Sequence, residues 1–182
     1  AIDSLTTAQK FIKDGNFNKA AEEIHYALAK INELTAAALL EYIPEPPEGY
    51  SLVSKKSQGV GAAGSAIAGN AGATANYSNS DGGTLDLNIA IGGMTGKIAS
   101  LAALGTIFTG LNQDGSGGQT RQVRVQGYTG TEIFDADSKS GTLTFQVGQK
   151  TSVTITGDNI DSAEVLMQLA RNIDFSGLEK NF

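Results

Sequence analysis

Before the first proline, Pro44, apolar residues recur at steps of three or four, which is the spacing of one helix face. The pattern predicts a short first helix, with Ser4 as its candidate N-cap, that ends at Asp14-Gly15-Asn16. A second helix is predicted from about Asn18 to Tyr42. Its apolar positions form one stripe: Phe17, Ala21, Ile24, Leu28, Ile31, Leu34 and Ala38. Such a helix needs cover, so we expect it to lie against its partner helix, the main domain or another chain.

After the prolines, apolar and polar residues alternate, which is the period of a half-buried strand. One strand begins at Tyr50, and two longer ones cover Ala71–Tyr77 and Leu85–Ile91, joined by the hairpin sequence SNSDGG. Four more follow, with these apolar centres: Val123 and Val125, Ile133 and Phe134, Leu143 to Val147, and Val153 and Ile155. Their turns are predicted at Tyr128–Gly130, Ser138–Gly141 and Gly148–Gln149. Such short intervals permit only antiparallel pairing, because a parallel crossover needs about a dozen residues.

Two further helices complete the pattern. One runs from Thr95 to about Leu111, and the last one is capped by Asp161 or Ser162. The order αα–βββ–α–ββββ–α predicts an α+β fold: a helical hairpin, then an antiparallel sheet of about seven strands with two helices packed on one face. We divide the chain into a helical arm (residues 1–43), a proline-rich junction (44–49) and an antiparallel-sheet domain (50–182).

Glycines at three positions have the G-x-G-x-x-G spacing of a dinucleotide-binding loop: Gly59, Gly61 and Gly64. Such a loop needs a helix directly after it and a parallel sheet beside it, and the sequence predicts neither. We therefore expect these glycines to serve chain shape and no cofactor to bind. In the strand that follows, Ala71 and Ala73 leave one face shallow, so that a helix can pack closely on it. The alternative is a groove for a ligand, lined by Ala71, Ala73, Ile98 and Leu101.

Composition excludes several classes of partner. The 182 residues carry a net charge of −6, and the 13 Lys and Arg are scattered, which argues against nucleic-acid and anionic membrane partners. No apolar run approaches the roughly 18 residues of a transmembrane segment. Without cysteine there is no disulfide and no thiolate site. The sequence starts at Ala1 without Met, which fits either removal of a signal peptide or a sequence trimmed at its start. We prefer the first explanation, which predicts an exported protein, periplasmic or secreted.

Residues that carry chemistry are sparse. His25 is the only histidine and lies beside the helical stripe, apart from any candidate serine nucleophile. The Asn112–Gly117 loop resembles the start of a calcium loop, but Val123 stands where a bidentate Glu belongs. The Asp135–Asp137 loop has Lys139 where an oxygen ligand belongs. Both loops are candidates for a weak cation site only, and we predict no tightly bound metal.

Two carboxylate pairs are candidates for acid–base work: Glu132 with Asp135, and Asp158 with Asp161. All four residues are predicted to lie near turns rather than in an apolar pocket that would raise a pKa. The sequence therefore predicts no catalytic residue, and we expect a protein that is not an enzyme.

Four segments together resemble a family of uncharacterised bacterial exported proteins: YIPEPPEGYSL, YSNSDGGTLDLNIAIGG, the apolar helix after it, and NIDFSGLEKNF. In that family a helical N-terminus leads to an LP-x-x-P-x-G-W junction and a glycine-rich first strand. Here Ile43 stands in place of Leu and Tyr50 in place of Trp. The order of elements also resembles the PsbP-like fold. The resemblance implies export and a non-enzymatic accessory role, and it carries over no functional residue.

The sequence thus predicts an exported bacterial accessory protein that binds an unknown protein partner, or a second copy of itself, through the helical arm or the shallow sheet face. The residues predicted for the partner surface are Phe17, Ile24, Leu28 and Ile31. The alternative is a carrier of a small apolar or amphiphilic ligand between sheet and helix.

Overall fold

The computed structural model describes residues 1–58, 71–92 and 119–182. Its helices are α1 (Ile2–Lys13), α2 (Phe17–Leu39), a 3-10 turn (Leu40–Tyr42), α3 (Glu164–Arg171) and α4 (Phe175–Asn181). Its strands are β1 (Tyr50–Gln58), β2 (Ala71–Asn79), β3 (Thr84–Ile91), β4 (Gln119–Val125), β5 (Tyr128–Asp135), β6 (Ser140–Val147) and β7 (Thr151–Asp158). The G-x-G-x-x-G motif, the helix predicted from Thr95 and the Asn112–Gly117 loop lie outside the described residues.

The seven strands form one sheet in the order β1-β2-β3-β7-β6-β5-β4, and every neighbouring pair is antiparallel. Two meanders, β1–β3 and β4–β7, meet where β3 pairs with β7. Helices lie at both ends of the chain, so the predicted α+β fold with a helical N-terminus is confirmed.

Alternation along the strands gives the sheet one apolar face. Ala75, Leu87, Ile155 and Leu143 are successive partners across four strands, and all are buried. The next row on the other face is polar: Thr74, Asn88, Thr154 and Thr144. The apolar face holds the core, because a period of two sends every second side chain to it.

Helix α2 packs on β1 and β2, and its C-terminal part enters the core through Ala36 and Leu39. The facing strand is the shallow one: Ala71 and Ala73 are buried. Small side chains permit a close approach of a helix to the sheet, and α2 packs on this strand.

The proline-rich junction is held from two sides. The buried Tyr77 hydroxyl of β2 donates to the carbonyl of Pro44 over 2.9 Å. Asn172, which ends α3, donates from Nδ2 to the carbonyl of Glu45 over 3.3 Å. Asn181 of α4 donates to the Tyr42 hydroxyl over 2.6 Å. The bonds from Tyr77 and Asn172 connect the junction to the sheet and to α3. The bond from Asn181 connects Tyr42, which belongs to the arm as we divided the chain, to α4.

Two predictions of helix N-caps were wrong. Ser4 does not cap α1; it lies within the helix and is buried, because its position faces α2. Neither Asp161 nor Ser162 caps α3, which starts after Ala163 without a side-chain cap. The carboxylate of Asp161 instead accepts from Lys139 Nζ over 2.8 Å.

The chain also forms a helix and a turn that the sequence analysis did not identify. Helix α4 starts at Asp174, whose Oδ1 accepts from Gly177 N over 2.8 Å. Gln126 and Gly127, with φ of 51° and 92°, make the two-residue β4–β5 turn. The segment Tyr128–Gly130, predicted as that turn, is therefore the start of β5.

Candidate interaction surface

In its N-terminal half, helix α2 buries two alanines and exposes its large apolar residues. Ala20 and Ala27 are buried, and α1 packs along this part of the helix. The predicted stripe faces solvent instead, with these exposed fractions: Phe17 69%, Ile24 43%, Leu28 38% and Ile31 44%. All four residues predicted as a partner surface are accessible.

Helix α1 continues this surface. Its buried residues are Ser4 and Ala8, whereas Leu5 and Ile12 are exposed by 46% and 48%. Viewed down each helix from its N-terminus, the exposed apolar residues lie on the same rotational side of the small residues that form the α1–α2 contact. In an antiparallel pair this places them on one side of the hairpin. We call this side the hairpin face and define it by Leu5, Ile12, Phe17, Ile24, Leu28 and Ile31.

No charged residue interrupts the α2 stripe from Phe17 to Ala38. The charged residues of α2 lie elsewhere around the helix, where Lys30 Nζ and Glu33 Oε2 form an exposed ion pair 2.7 Å long. Close to the α1–α2 turn, Lys19 Nζ lies 5.6 Å from the ring centroid of Phe11. The hairpin face is therefore apolar along its length, and its burial would leave no charged residue of α2 without solvent.

Apart from the hairpin face, a concave feature lies at one end of the sheet. Three turns converge there on a pocket of about 280 Å³, lined by Tyr50, Asn79, Asp81, Lys139, Asn159, Asp161, Ser162 and Val165. Lys139 and Asn159 have φ of 52° and 53°, in the left-handed region that few non-glycine residues adopt. Burial raises the pKa of the Tyr50 phenol, and the charge of Asp161 raises it further.

The groups of this pocket bind one another. Asn159 Nδ2 donates to the carbonyl of Asp81 over 3.1 Å, and Asn79 Oδ1 accepts from the backbone N–H groups of Asp81 and Gly83. The Lys139 ammonium lowers the pKa of the Asp161 carboxyl through their hydrogen bond. We interpret the pocket as a junction of turns, because Asn79, Asn159, Lys139 and Asp161 already have partners.

In the first candidate acid–base pair, Glu132 and Asp135 bind different partners. Glu132 lies in mid-strand on the core face and is only 2% exposed, so the prediction that it lies near a turn was wrong. Its oxygens accept from Arg121 Nε and Nη2 over 2.6 and 3.2 Å. This hydrogen bond raises the pKa of Arg121. The sequence does contain a signal for this ion pair. Arg121 and Glu132 are residues of opposite charge in two consecutive strands, each with alternating apolar and polar positions.

Asp135 caps the β5–β6 turn by accepting from the backbone N–H groups of Asp137 and Ser138 over 2.9 and 3.3 Å. These bonds hold the pKa of the Asp135 carboxyl below its usual value.

Among the described residues, no three His, Cys, Asp or Glu side chains are grouped so as to hold a metal ion. None of the described helices is long and apolar enough to cross a membrane.

Only two of the four residues predicted to line the ligand groove belong to the described part of the chain. Ala71 and Ala73 are buried, and α2 packs on their strand β2. Ile98 and Leu101, its other predicted wall, lie outside the described residues. The carrier alternative therefore stays a prediction.

Comparison with known proteins adds no name to these features. No protein family, no curated protein and no solved structure matches the chain. The proposed function therefore depends on the geometry of the hairpin face.

Proposed function

We propose that this protein is a non-enzymatic accessory protein that binds another protein chain through the hairpin face. The observation that supports this proposal is the inverted packing of α2. Its alanines fill the contact with α1, while Phe17, Ile24, Leu28 and Ile31 remain accessible. A helix that had evolved only to cover its own domain would bury the larger side chains, because burial of apolar area is the main stabilising term.

The size of the hairpin face supports the proposal. Its six residues expose just under half of their surface on average. At about 180 Å² for a fully exposed large side chain, they present roughly 500 Å² of mostly apolar surface. This is near the upper end of what soluble monomers expose, and patches of this size mark interaction sites.

Export is part of the proposal, and the family resemblance is what supports it. Fractionation of the native cells, followed by detection of the chain in the envelope or the medium, would test it independently of binding.

Site-specific photo-crosslinking in the native cells tests the binding proposal. A photoreactive phenylalanine analogue is placed at Ile24 or, as a matched control, at Tyr26. Tyr26 is a 65% exposed apolar residue two positions away on the same helix and outside the hairpin face. We expect a discrete protein adduct from position 24 and none from position 26. Equal adducts from both positions, or no adduct from either, would contradict the proposal.

A further inference from the structure

We infer that the partner of the hairpin face is a second copy of this chain, with the two α2 helices antiparallel and Ile24 of each copy against Leu28 of the other. This inference rests on the proposed function, since it names the partner of the same surface. It is carried by the spacing, the side-chain sizes and the position of the sheet.

The exposed stripe of α2 has the spacing of a two-helix seam. With Thr35 taken in place of Leu34, which is 59% exposed beside the seam, its positions alternate between steps of four and three: Phe17, Ala21, Ile24, Leu28, Ile31, Thr35 and Ala38. This is the heptad rhythm with which one helix presents a continuous line of side chains to another. Here the line is accessible over most of its length, and Thr35 is half-buried.

Side-chain sizes select the register. With Ile24 opposite Leu28, an antiparallel pair places Ala21 opposite Ile31 and Phe17 opposite Thr35. Each large residue outside the centre then meets a smaller one, which fills the seam without a void. Sliding the pair by one heptad would set Ala21 against Ala38, small against small, and leave a gap.

The position of the sheet favours an antiparallel pair over a parallel one. Each sheet packs against the C-terminal part of its own α2, where Asn32, Ala36 and Leu39 are buried. A parallel pair would bring both sheets to the same end of the seam, and it would set Phe17 against Phe17 and Ala21 against Ala21. The antiparallel pair puts the sheets at opposite ends of the seam and, like a parallel pair, is closed by a two-fold axis.

The area of the two hairpin faces is close to that of a small specific dimer interface. Two hairpin faces together remove roughly 1,000 Å² from water before Ala21, Thr35 and Ala38 are added, which approaches the size of specific interfaces, about 1,200 Å² and above. Leu5 and Ile12 of each α1 lie on the same side, so that the assembled contact is a bundle of four helices.

Analytical ultracentrifugation of the full chain tests self-association. We expect the wild-type protein to sediment at twice the chain mass of 18.8 kDa. Leu28→Glu should halve that mass, because it places a charge in the seam, while Tyr26→Glu should leave it unchanged. Circular dichroism shows whether each variant is folded. A wild-type monomer at all concentrations, or a folded Leu28→Glu dimer, would overturn the inference.

Disulfide trapping tests the orientation, and the chain suits it because it has no cysteine of its own. Oxidation of an equal mixture of the Ala21→Cys and Ile31→Cys chains should give a covalent dimer, and either chain alone should give none. Self-crosslinking of each chain alone would indicate a parallel pair, and trapping of Ala21→Cys with Ala38→Cys would indicate the shifted register. Either result overturns the antiparallel seam centred on Ile24 and Leu28.

The photo-crosslinking experiment separates the two proposals. An adduct at twice the chain mass that contains only this chain supports both. An adduct with a different protein, together with a monomeric purified chain, overturns the self-association and leaves the binding function standing. Absence of any adduct counts against both.

Discussion

Replacement of Arg121 should destabilise the fold more than replacement of its buried partner Glu132. Across the sheet, Arg121, Glu132 and Leu143 are successive register partners on the core face. The carboxylate is 2% exposed, whereas the arginine side chain is 59% exposed. Loss of either side chain breaks the same two hydrogen bonds, but the partner that is left alone differs. It is a buried carboxylate in one case and a largely exposed guanidinium in the other.

Arg121→Met leaves a carboxylate buried beside apolar side chains without its cation. An uncompensated buried charge costs about 3 to 5 kcal/mol, and we expect the lower end because β4 is an edge strand next to solvent. Glu132→Gln leaves only an arginine that already reaches water, so the loss is that of a charge-assisted hydrogen bond, about 1.5 to 2 kcal/mol. Glu132→Leu continues the apolar row and should be close to neutral, as hydrophobic replacements of buried ion pairs often are.

Urea unfolding followed by circular dichroism measures these differences in the free energy of unfolding, provided that the slope with urea concentration is unchanged. The decisive comparison is Arg121→Met in the Glu132→Leu background, where the arginine has no carboxylate to neutralise. There the substitution should have little effect. The reasoning is refuted if Arg121→Met is as harmful in that background as alone, or if Glu132→Gln is the more damaging single change.

Three further predictions concern stability. Gly130→Ala should destabilise the fold by about 2 kcal/mol in urea unfolding, because the added Cβ would lie 2.6 Å from a ring carbon of Phe145; an unchanged midpoint would contradict this contact. Tyr77→Phe should cost about 1 to 2 kcal/mol in the same assay, since it leaves the buried carbonyl of Pro44 without a donor, and an unaltered stability would show that water replaces the hydroxyl. The lowered pKa of Asp135 means that its contribution is complete above the unfolded value of about 3.9 and is lost as the pH falls through the folded value. Thermal melts from about pH 5 to about pH 2 should therefore show a smaller acid loss in Asp135→Asn than in the wild type.

Local periodicity was sufficient to predict most of the architecture. The alternation from Leu85 to Ile91 and from Leu143 to Val147 predicted strands β3 and β6, and the short intervals predicted that every pairing is antiparallel. These features depend on neighbours close in sequence. The order of the strands does not: the pairing of β3 with β7 joins residues far apart in the chain, and no local pattern specifies it.

Caps and charges were harder to predict because they depend on competition between partners. Asp161 is a reasonable cap by sequence, but Lys139 from another turn takes its carboxylate. Glu132 is charged and its sequence position suggests exposure, but Arg121 in the neighbouring strand makes its burial tolerable. In each case the deciding residue comes from a different element, so the local sequence carries only half of the information.

The hairpin face shows why the same pattern predicted helix α2 correctly but did not predict what would cover it. Periodicity reports which residues share a side of a helix, and it is silent on whether that side faces the same molecule. In α2, close contact with α1 needs small residues, and Ala20 and Ala27 supply them on a side of their own. The large residues at Ile24 and Leu28 are therefore free for another surface. Since the described sheet and helices leave them exposed, a second hairpin with the same seam would provide the apolar cover that this side of α2 calls for.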